Sequence, residues 1–279
     1  MLAVLLAGCN GDDPAITITD ADITAQFDAK FAALLKERGY IPNAKKITPA
    51  DVKEIKKIDV SVSYEQQGDL TSLSGIEYFS ALDTLICYNN QLTALDVSKN
   101  TALTILQCAD NQLTALDVSK NTALIGLYCF DNQLTALDVS KNTVLAMLHC
   151  FSNQLTALDV SKNTALTELW CGANQLTVLD VSKNTVLTIL QCGANQLTVL
   201  DVSKNTALTI LQCASNQLTA LDVSKNTALT ELWCHINPGN GTIFPITAWF
   251  DNDSIPRGFP ADISGIFGGA IAIDYIKVD

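Results

Sequence analysis

Nine cysteines and two histidines are the residues of this 279-residue chain best suited to chemistry. So many cysteines would suggest a disulfide framework or a metal site, but their spacing points elsewhere. Cys87, Cys108, Cys129, Cys150, Cys171, Cys192, Cys213 and Cys234 recur every 21 residues. No Cys-x-x-Cys pair occurs and His149 and His235 lack ligand spacing, so a zinc site is not expected, nor any other metal or cofactor. His149 and Cys150 are neighbours in an extended segment and face opposite sides of it, which removes a Cys–His nucleophile. Glu168 and Glu231 are the two carboxylates a glycosidase would need. They lie three periods apart, about 14 Å at the usual strand spacing, too far for either hydrolytic geometry. No GxSxG elbow, HExxH helix or phosphate-loop motif occurs. Gly265-Ile266-Phe267-Gly268-Gly269 is glycine-rich but lacks a strand-to-helix context and reads as a turn. The chain is not expected to be an enzyme.

The cysteines instead mark an architectural period, and a period of this length signals a solenoid or similar array. Asn90 to Leu103 reads NQLTALDVSKNTAL, with close copies from Asn111, Asn132, Asn153, Asn174, Asn195 and Asn216. Between copies lie segments such as Leu103-Thr104-Ile105-Leu106-Gln107-Cys108-Ala109-Asp110-Asn111, or LxxLxCxxN, followed by Gln112-Leu113. Over residues 82–237 this resembles the leucine-rich-repeat signature LxxLxLxxNxL, with cysteine in the third apolar slot. The resemblance implies an α/β repeat solenoid: a leucine-rich-repeat horseshoe with a concave parallel β-sheet and short 3-10 or extended convex turns. It also implies that Asn111 and its equivalents bond to backbone groups of adjacent turns as an asparagine ladder.

Strand alternation supplies the packing. Leu106 and Cys108 share one side, with Ile105 and Gln107 on the other. Stacked repeats bury the first side with Leu113, Leu116, Val118 and Leu124, making a core no single repeat could close. Eight strands give a sheet roughly 35–40 Å long. In-register strands hold equivalent Cβ atoms about 4.8 Å apart, outside the disulfide span of roughly 3.5–4.5 Å. The cysteine ladder is therefore expected to stay reduced, each thiol acting as a small hydrophobe. Asp117-Val118-Ser119-Lys120-Asn121 reads as a short capped turn, and the Asp and Lys ladders are expected to offset each other's repulsion.

The flanks read as caps for the open ends of the array. Residues 21–57 are expected to form a helical N-terminal cap, with Ile23, Phe27, Phe31, Leu34 and Leu35 at helical spacing between Ala21 and Gly39. Thr48-Pro49 opens a second helix through Val52 and Ile55. The array spans residues 58–237, beginning with a degenerate strand around Ile58 and Val60 and an irregular repeat containing Gly75-Ile76-Glu77-Tyr78-Phe79. Residues 238–279, with Ile271, Ile273, Tyr275 and Ile276, are expected to form a β-rich C-terminal cap. Ahead of all this, Leu6-Ala7-Gly8-Cys9 resembles the lipobox of bacterial lipoproteins. That resemblance makes residues 1–9 a lipoprotein signal ending at an acylated Cys9, and residues 10–20 an acidic tether. A frayed apolar terminus is the alternative, because the stretch is short and lacks a basic n-region. The order of helical cap, GIEYF repeat and cysteine-bearing array resembles Bacteroidetes-type, loosely internalin-like surface lipoproteins. It implies a lipid-anchored, monomeric protein on the bacterial cell envelope, at the outer-membrane surface. Membrane contact would then come only through Cys9, as no apolar run is long enough to span a bilayer.

Variation inside the array marks the functional face. The NQLT…NTAL blocks differ only by Ala/Val exchanges, whereas the strand segments diverge away from their Leu, Cys and Asn positions. Exposed positions drift freely, but Gln91, Thr93, Lys99, Asn100 and Thr101 should also be exposed and do not vary, which favours diversification for binding; recent duplication explains part of the identity. The variable positions form the concave face. Tyr128, Phe130, His149, Phe151 and Trp170 fall on three successive strands as one aromatic patch, with Trp233 further along. Glu168 and Glu231 join them, and no Lys or Arg is present in the variable segments. Exposed aromatics favour interaction hot spots; packing along the sheet is the plainer alternative. A net charge of -12 and a pI near 4.5 argue against nucleic acid, which needs a basic surface. The face suits a protein partner first and a neutral glycan second, with a passive adhesion or spacer array as the remaining reading.

Overall fold

The computed structural model describes residues 21–63, 65–260, 262–263 and 271–278. Cys9, the tether and the Gly265–Gly269 stretch lie outside the described residues. Among the described residues, one strand per repeat stacks into a nine-stranded parallel sheet. The strands are β1 (Lys57–Asp59), β2 (Thr84–Ile86), β3 (Ile105–Gln107), β4 (Gly126–Tyr128), β5 (Met147–His149), β6 (Glu168–Trp170), β7 (Ile189–Gln191) and β8 (Ile210–Gln212). A two-residue strand on the convex side, β9 (Leu221–Asp222), intervenes in the chain before β10 (Glu231–Trp233) completes the sheet beside β8. The degenerate first repeat supplies β1, whose Ile58 pairs in register with Leu85. From there each central leucine faces the next, Leu106 with Leu127 and Leu148 with Leu169.

The strands are three residues long because the chain turns immediately after each cysteine. Asn89, Asp110, Asp131, Ser152, Ala173, Ala194, Ser215 and Ile236 all take left-handed backbone, with φ between 49° and 56°. That conformation costs a non-glycine residue on the order of 1–2 kcal/mol, so the surroundings must enforce it. The asparagine that follows does so. Asn111 donates from Nδ2 to the carbonyls of Cys108 and Ala109 in its own turn and of Cys87 in the preceding one, while its Oδ1 accepts from the Leu92 N–H. One side chain thus fixes a turn and staples it to its neighbour, and the pattern repeats through Asn216.

On the convex side Asn121 N–H donates to the Val118 carbonyl and Leu124 N–H to that of Asn121, giving two consecutive turns. The regular repeats are turn and extended backbone here; the 3-10 segment Ile76–Tyr78 belongs to the irregular repeat. A second asparagine ladder runs through these turns. Asn121 Nδ2 donates to the Val97 and Asn100 carbonyls, 2.9 Å each. Asn100, expected on the surface, is fully buried, as are its equivalents Asn121 to Asn226. Their identity from repeat to repeat is an architectural requirement, so it does not count as evidence about the exposed face. The aspartate column also acts locally. Asp117 Oδ1 accepts from the Ser119 N–H at 2.8 Å, and this bond, more than nearby Lys120, holds its carboxyl below the usual range. The aspartates close turns and do not chiefly neutralise the lysines.

Between sheet and turns lies the core. Leu106, Cys108, Leu113, Val118 and Leu124 are fully buried and Leu116 nearly so, a set that recurs through the array. At the N-terminal end the single helix expected over 21–39 is broken. A 3-10 turn (Thr24–Gln26) stops at Phe27, and α1 (Ala29–Glu37) starts afresh because Asp28 caps it, accepting from the N–H groups of Lys30 and Phe31. Phe27, Phe31 and Leu35 are buried against Phe79 and the first repeats. Gly75, at φ 101°, lies so close that a Cβ would sit 2.5 Å from the Phe27 ring. The second helix, α2 (Pro49–Val52), is one turn only, held by the Thr48–Asp51 capping box, and leaves Ile55 beyond its end. Arg38 then shields the open edge of β1, donating to the carbonyls of Asp59 and Ser61 at 2.7 Å. At the other end β11 (Ile243–Ala248), β12 (Asp262–Ile263) and β13 (Ile271–Lys277) form a second sheet that joins the convex side through β9, in the order β12-β13-β11-β9. Phe244, Ile246, Phe250, Ile273 and Tyr275 enter the core, whereas Ile276 is 47% exposed on the opposite face of β13. No helix among the described residues is long and apolar enough to cross a membrane.

Candidate binding site on the concave sheet

Registered pairing sets the variable residues in straight rows across the strands. Tyr128, His149 and Trp170 are consecutive neighbours on β4, β5 and β6. Their rings form a stack: Tyr128 meets His149 edge-on at 4.8 Å, and the imidazole lies flat on the Trp170 indole at 4.1 Å. One row over, Phe130 and Phe151 stack at 4.4 Å, and Phe151 reaches the Trp170 ring at 6.2 Å. Five residues expected as one aromatic patch are thus brought together. Packing along the sheet accounts for part of the arrangement: His149 retains 8% exposure and is a filler, not an open contact. Tyr128, Phe130, Phe151 and Trp170 are half-buried and keep surface facing outward.

Glu168 engages the stack from β6, with Oε2 3.4 Å from His149 Nε2. Burial pushes the imidazole pKa below its ordinary 6.5, and the Glu168 bond only partly opposes this. The ring is therefore neutral at neutral pH. An unfolded chain would take up that proton near 6.5 while the fold resists it, so the stack's contribution to stability is present above that pH and lost as pH falls. In a proton NMR titration the His149 Hε1 signal should move with a midpoint below 6.5; a midpoint at or above 6.5 would show that the carboxylate dominates.

Beyond Trp170 the face changes. The position after each cysteine, aromatic at Phe130 and Phe151, becomes Gly172, Gly193 and Ala214. Their small side chains open a trough of about 380 Å³, walled by Phe151 at one end and by Trp233 and His235 at the other, with Gln191 and Gln212 along its floor. Trp233 is 50% exposed and Glu231 beside it is exposed. The aromatics stand out in the sequence as large side chains, whereas the trough is signalled there only by their replacement with glycine and alanine in one column. The two predicted carboxylates, Glu168 and Glu231, stand on β6 and β10, three strand steps apart, and neither lines this trough. Among the described residues, no group of three or more His, Cys, Asp or Glu side chains is placed to hold a metal ion.

The fold recurs in solved structures. The functional domain of InlJ from Listeria monocytogenes, which includes a cysteine ladder, matches with a TM-score of 0.62 and 34% identity over 81% of this chain and 56% of that one. A leucine-rich-repeat protein from Leptospira interrogans matches with a TM-score of 0.61 and 24% identity over 68% of this chain and 57% of that one. An internalin C2 from Listeria monocytogenes matches with a TM-score of 0.66 and 22% identity over 78% and 97% of the two chains. The chain thus spans little more than half the length of the first two, and the last two likenesses establish fold alone. No protein-family model matches the chain, and no curated protein is significantly similar to it in sequence. The molecule is a leucine-rich-repeat solenoid whose structural neighbours include internalins.

Proposed function

We propose that this solenoid is a non-enzymatic binding module that holds a protein partner on its concave face. The observation carrying this reading is the trough between Phe151 and Trp233, where the exposed Trp233 indole stands beside small residues on a sheet whose other columns are fixed by packing. Exposed tryptophans of this kind are the side chains that dominate interface energies. The neutral-glycan reading is favoured by one feature, the Gln191 and Gln212 amides lying between two indoles. Display on a bacterial envelope through an acylated Cys9 completes the proposal. It is supported by the lipobox-like sequence, and a Cys9→Ser protein that still fractionates with membranes would remove it.

Trp233→Ala is the informative variant, because half of that side chain is exposed and the core does not depend on it. Purified envelope proteins and a glycan array would each be probed with wild type and variant. Truncating a central tryptophan costs about 2 kcal/mol or more at a hot spot, so a protein ligand should bind at least tenfold more weakly to the variant. A glycan signal lost in the variant, with no protein ligand, would select the lectin-like reading. Unchanged binding of every ligand would overturn the concave-face assignment.

A further inference from the structure

The strands on either side of the trough match. β6 and β10 both read Glu-Leu-Trp, and the two strands between them, β7 and β8, both read Ile-Leu-Gln. Register aligns these as rows across the sheet: Glu168, Ile189, Ile210, Glu231 in one and Trp170, Gln191, Gln212, Trp233 in the next. Each end therefore presents an indole with a carboxylate two residues before it, and the middle presents isoleucine and glutamine. His149 covers one face of Trp170, so the other face is turned toward β7, beside the trough but not part of its lining. The Trp170 indole N–H is buried without an acceptor. No Lys or Arg is present in these rows, so no cationic side chain within them faces the two carboxylates.

We propose that the concave face from β6 to β10, with this trough at its centre, binds an extended peptide segment carrying two cationic side chains four residues apart, one seated against Trp170 and Glu168 and the other against Trp233 and Glu231. The proposal deepens the binding-module reading and rests on it. Geometry sets the spacing. Three inter-strand steps separate the ends by about 14 Å. An extended chain rises about 3.4 Å per residue and returns to the same face every second residue, so residues i and i+4 match both distance and direction. A spacing of two residues reaches about half the distance, and a spacing of three points one side chain away. The intervening residue on the same face would lie over Ile189 and Ile210, and the Gln191 and Gln212 amides can bond to its backbone. Gly172, Gly193 and Ala214 leave room for that backbone. Charge selects the side chains: a guanidinium stacks on an indole and bonds a carboxylate at once, better than an ammonium does. A neutral sugar would use the indoles but has no need of two carboxylates beside them.

The test uses the full chain and acetyl-Thr-Arg-Thr-Val-Thr-Arg-Thr-amide, whose arginines are four apart, titrated by tryptophan fluorescence or calorimetry. An isomer with arginines two apart and a glutamine analogue are the controls. The four-apart peptide should bind at least tenfold more tightly than either, and its affinity should fall as salt rises. Glu231→Gln and Trp233→Ala should each weaken it at least fivefold, with thermal unfolding confirming that both variants fold. Equal affinity for the two isomers, or indifference to Glu231→Gln, would overturn the proposal. So would chitohexaose binding that depends on Trp233 but not on Glu231. If the peptides fail while an envelope protein still binds in a Trp233-dependent way, only this inference is lost; if neither binds, the concave-face reading falls with it.

Discussion

Raising the pH from 8 to 10 under reducing conditions should unfold this protein in a steep, cooperative transition. Eight array thiols are buried. Burial pushes those of Cys108, Cys150 and Cys234 up to about 12 and raises the others as well. In the unfolded chain a cysteine ionises near 8.5. Above that pH the unfolded state sheds protons that the fold retains, so the stabilisation present below 8.5 is lost as pH climbs toward 12. Linkage puts the loss at about 1.4 kcal/mol per pH unit for each thiol, and the eight together approach roughly 11 kcal/mol per unit. Domains are stable by about 5–15 kcal/mol, so the midpoint should fall within about one to one and a half units above 8.5. Circular dichroism along an alkaline titration checks the midpoint, and urea denaturation at pH 8.5, 9.0 and 9.5 gives the slope. A slope matching two protons or fewer would show that the ladder is not the controlling element. The same burial should leave these thiols inert to maleimide at pH 7 until the chain is unfolded.

Asn153→Ala should be among the most damaging single substitutions in the array, costing about 3–5 kcal/mol. Asn153 donates to the carbonyls of Cys129, Cys150 and Phe151, and its Oδ1 accepts from the Leu134 N–H. Alanine leaves those backbone groups buried without partners, at about 1–3 kcal/mol for each fully desolvated group. It also releases Ser152, whose left-handed φ of 51° depends on the turn being held. Asn153→Asp should be no milder, since it keeps the acceptor but turns a buried charge toward three carbonyls. Asn163→Ala on the convex side should cost less, because that side chain makes two bonds, to the carbonyls of Val139 and Asn142. Urea midpoints of the three variants give the order. A loss below about 1 kcal/mol for Asn153→Ala would mean that the turn holds itself without the staple.

The array was legible because its leucines, cysteines and strand-end asparagines repeat at one period and alternate as a half-buried strand must. Register followed from the same fact, since every turn from β2 onward has one length. Asn100 was misread for a physical reason: type and local pattern do not distinguish an asparagine that bonds solvent from one that bonds the carbonyls of the previous turn. The helix break at Asp28 was hidden because apolar spacing continues through it from Phe27 to Phe31, and a capping aspartate also occurs inside ordinary polar faces. At the far end, pairing of β11 with β9 depends on the shape of the last convex turn, which no local pattern encodes. In the site, the aromatic stack was visible as residues but not as contacts. That His149 would be covered by Tyr128 and Trp170 follows from ring sizes across a narrow strand spacing, and that the trough would open follows from what Gly172, Gly193 and Ala214 lack.

Equal register between strands also makes the concave face a ruler graduated in repeats. Every regular repeat meets its neighbours through the same two asparagine ladders and the same leucine contacts, so copying or losing one 21-residue unit would heal without a mismatched seam. Loss of the unit bearing β7 would bring Trp170 one graduation nearer to Trp233, and a further copy would move them one apart. Inheritance could thus regauge the interval between the two ends in steps of about 4.8 Å, leaving the chemistry of each end intact. Near-identical copies in tandem are also the sequences most prone to such slippage, so the property that stabilises the stack makes its interval heritable and adjustable.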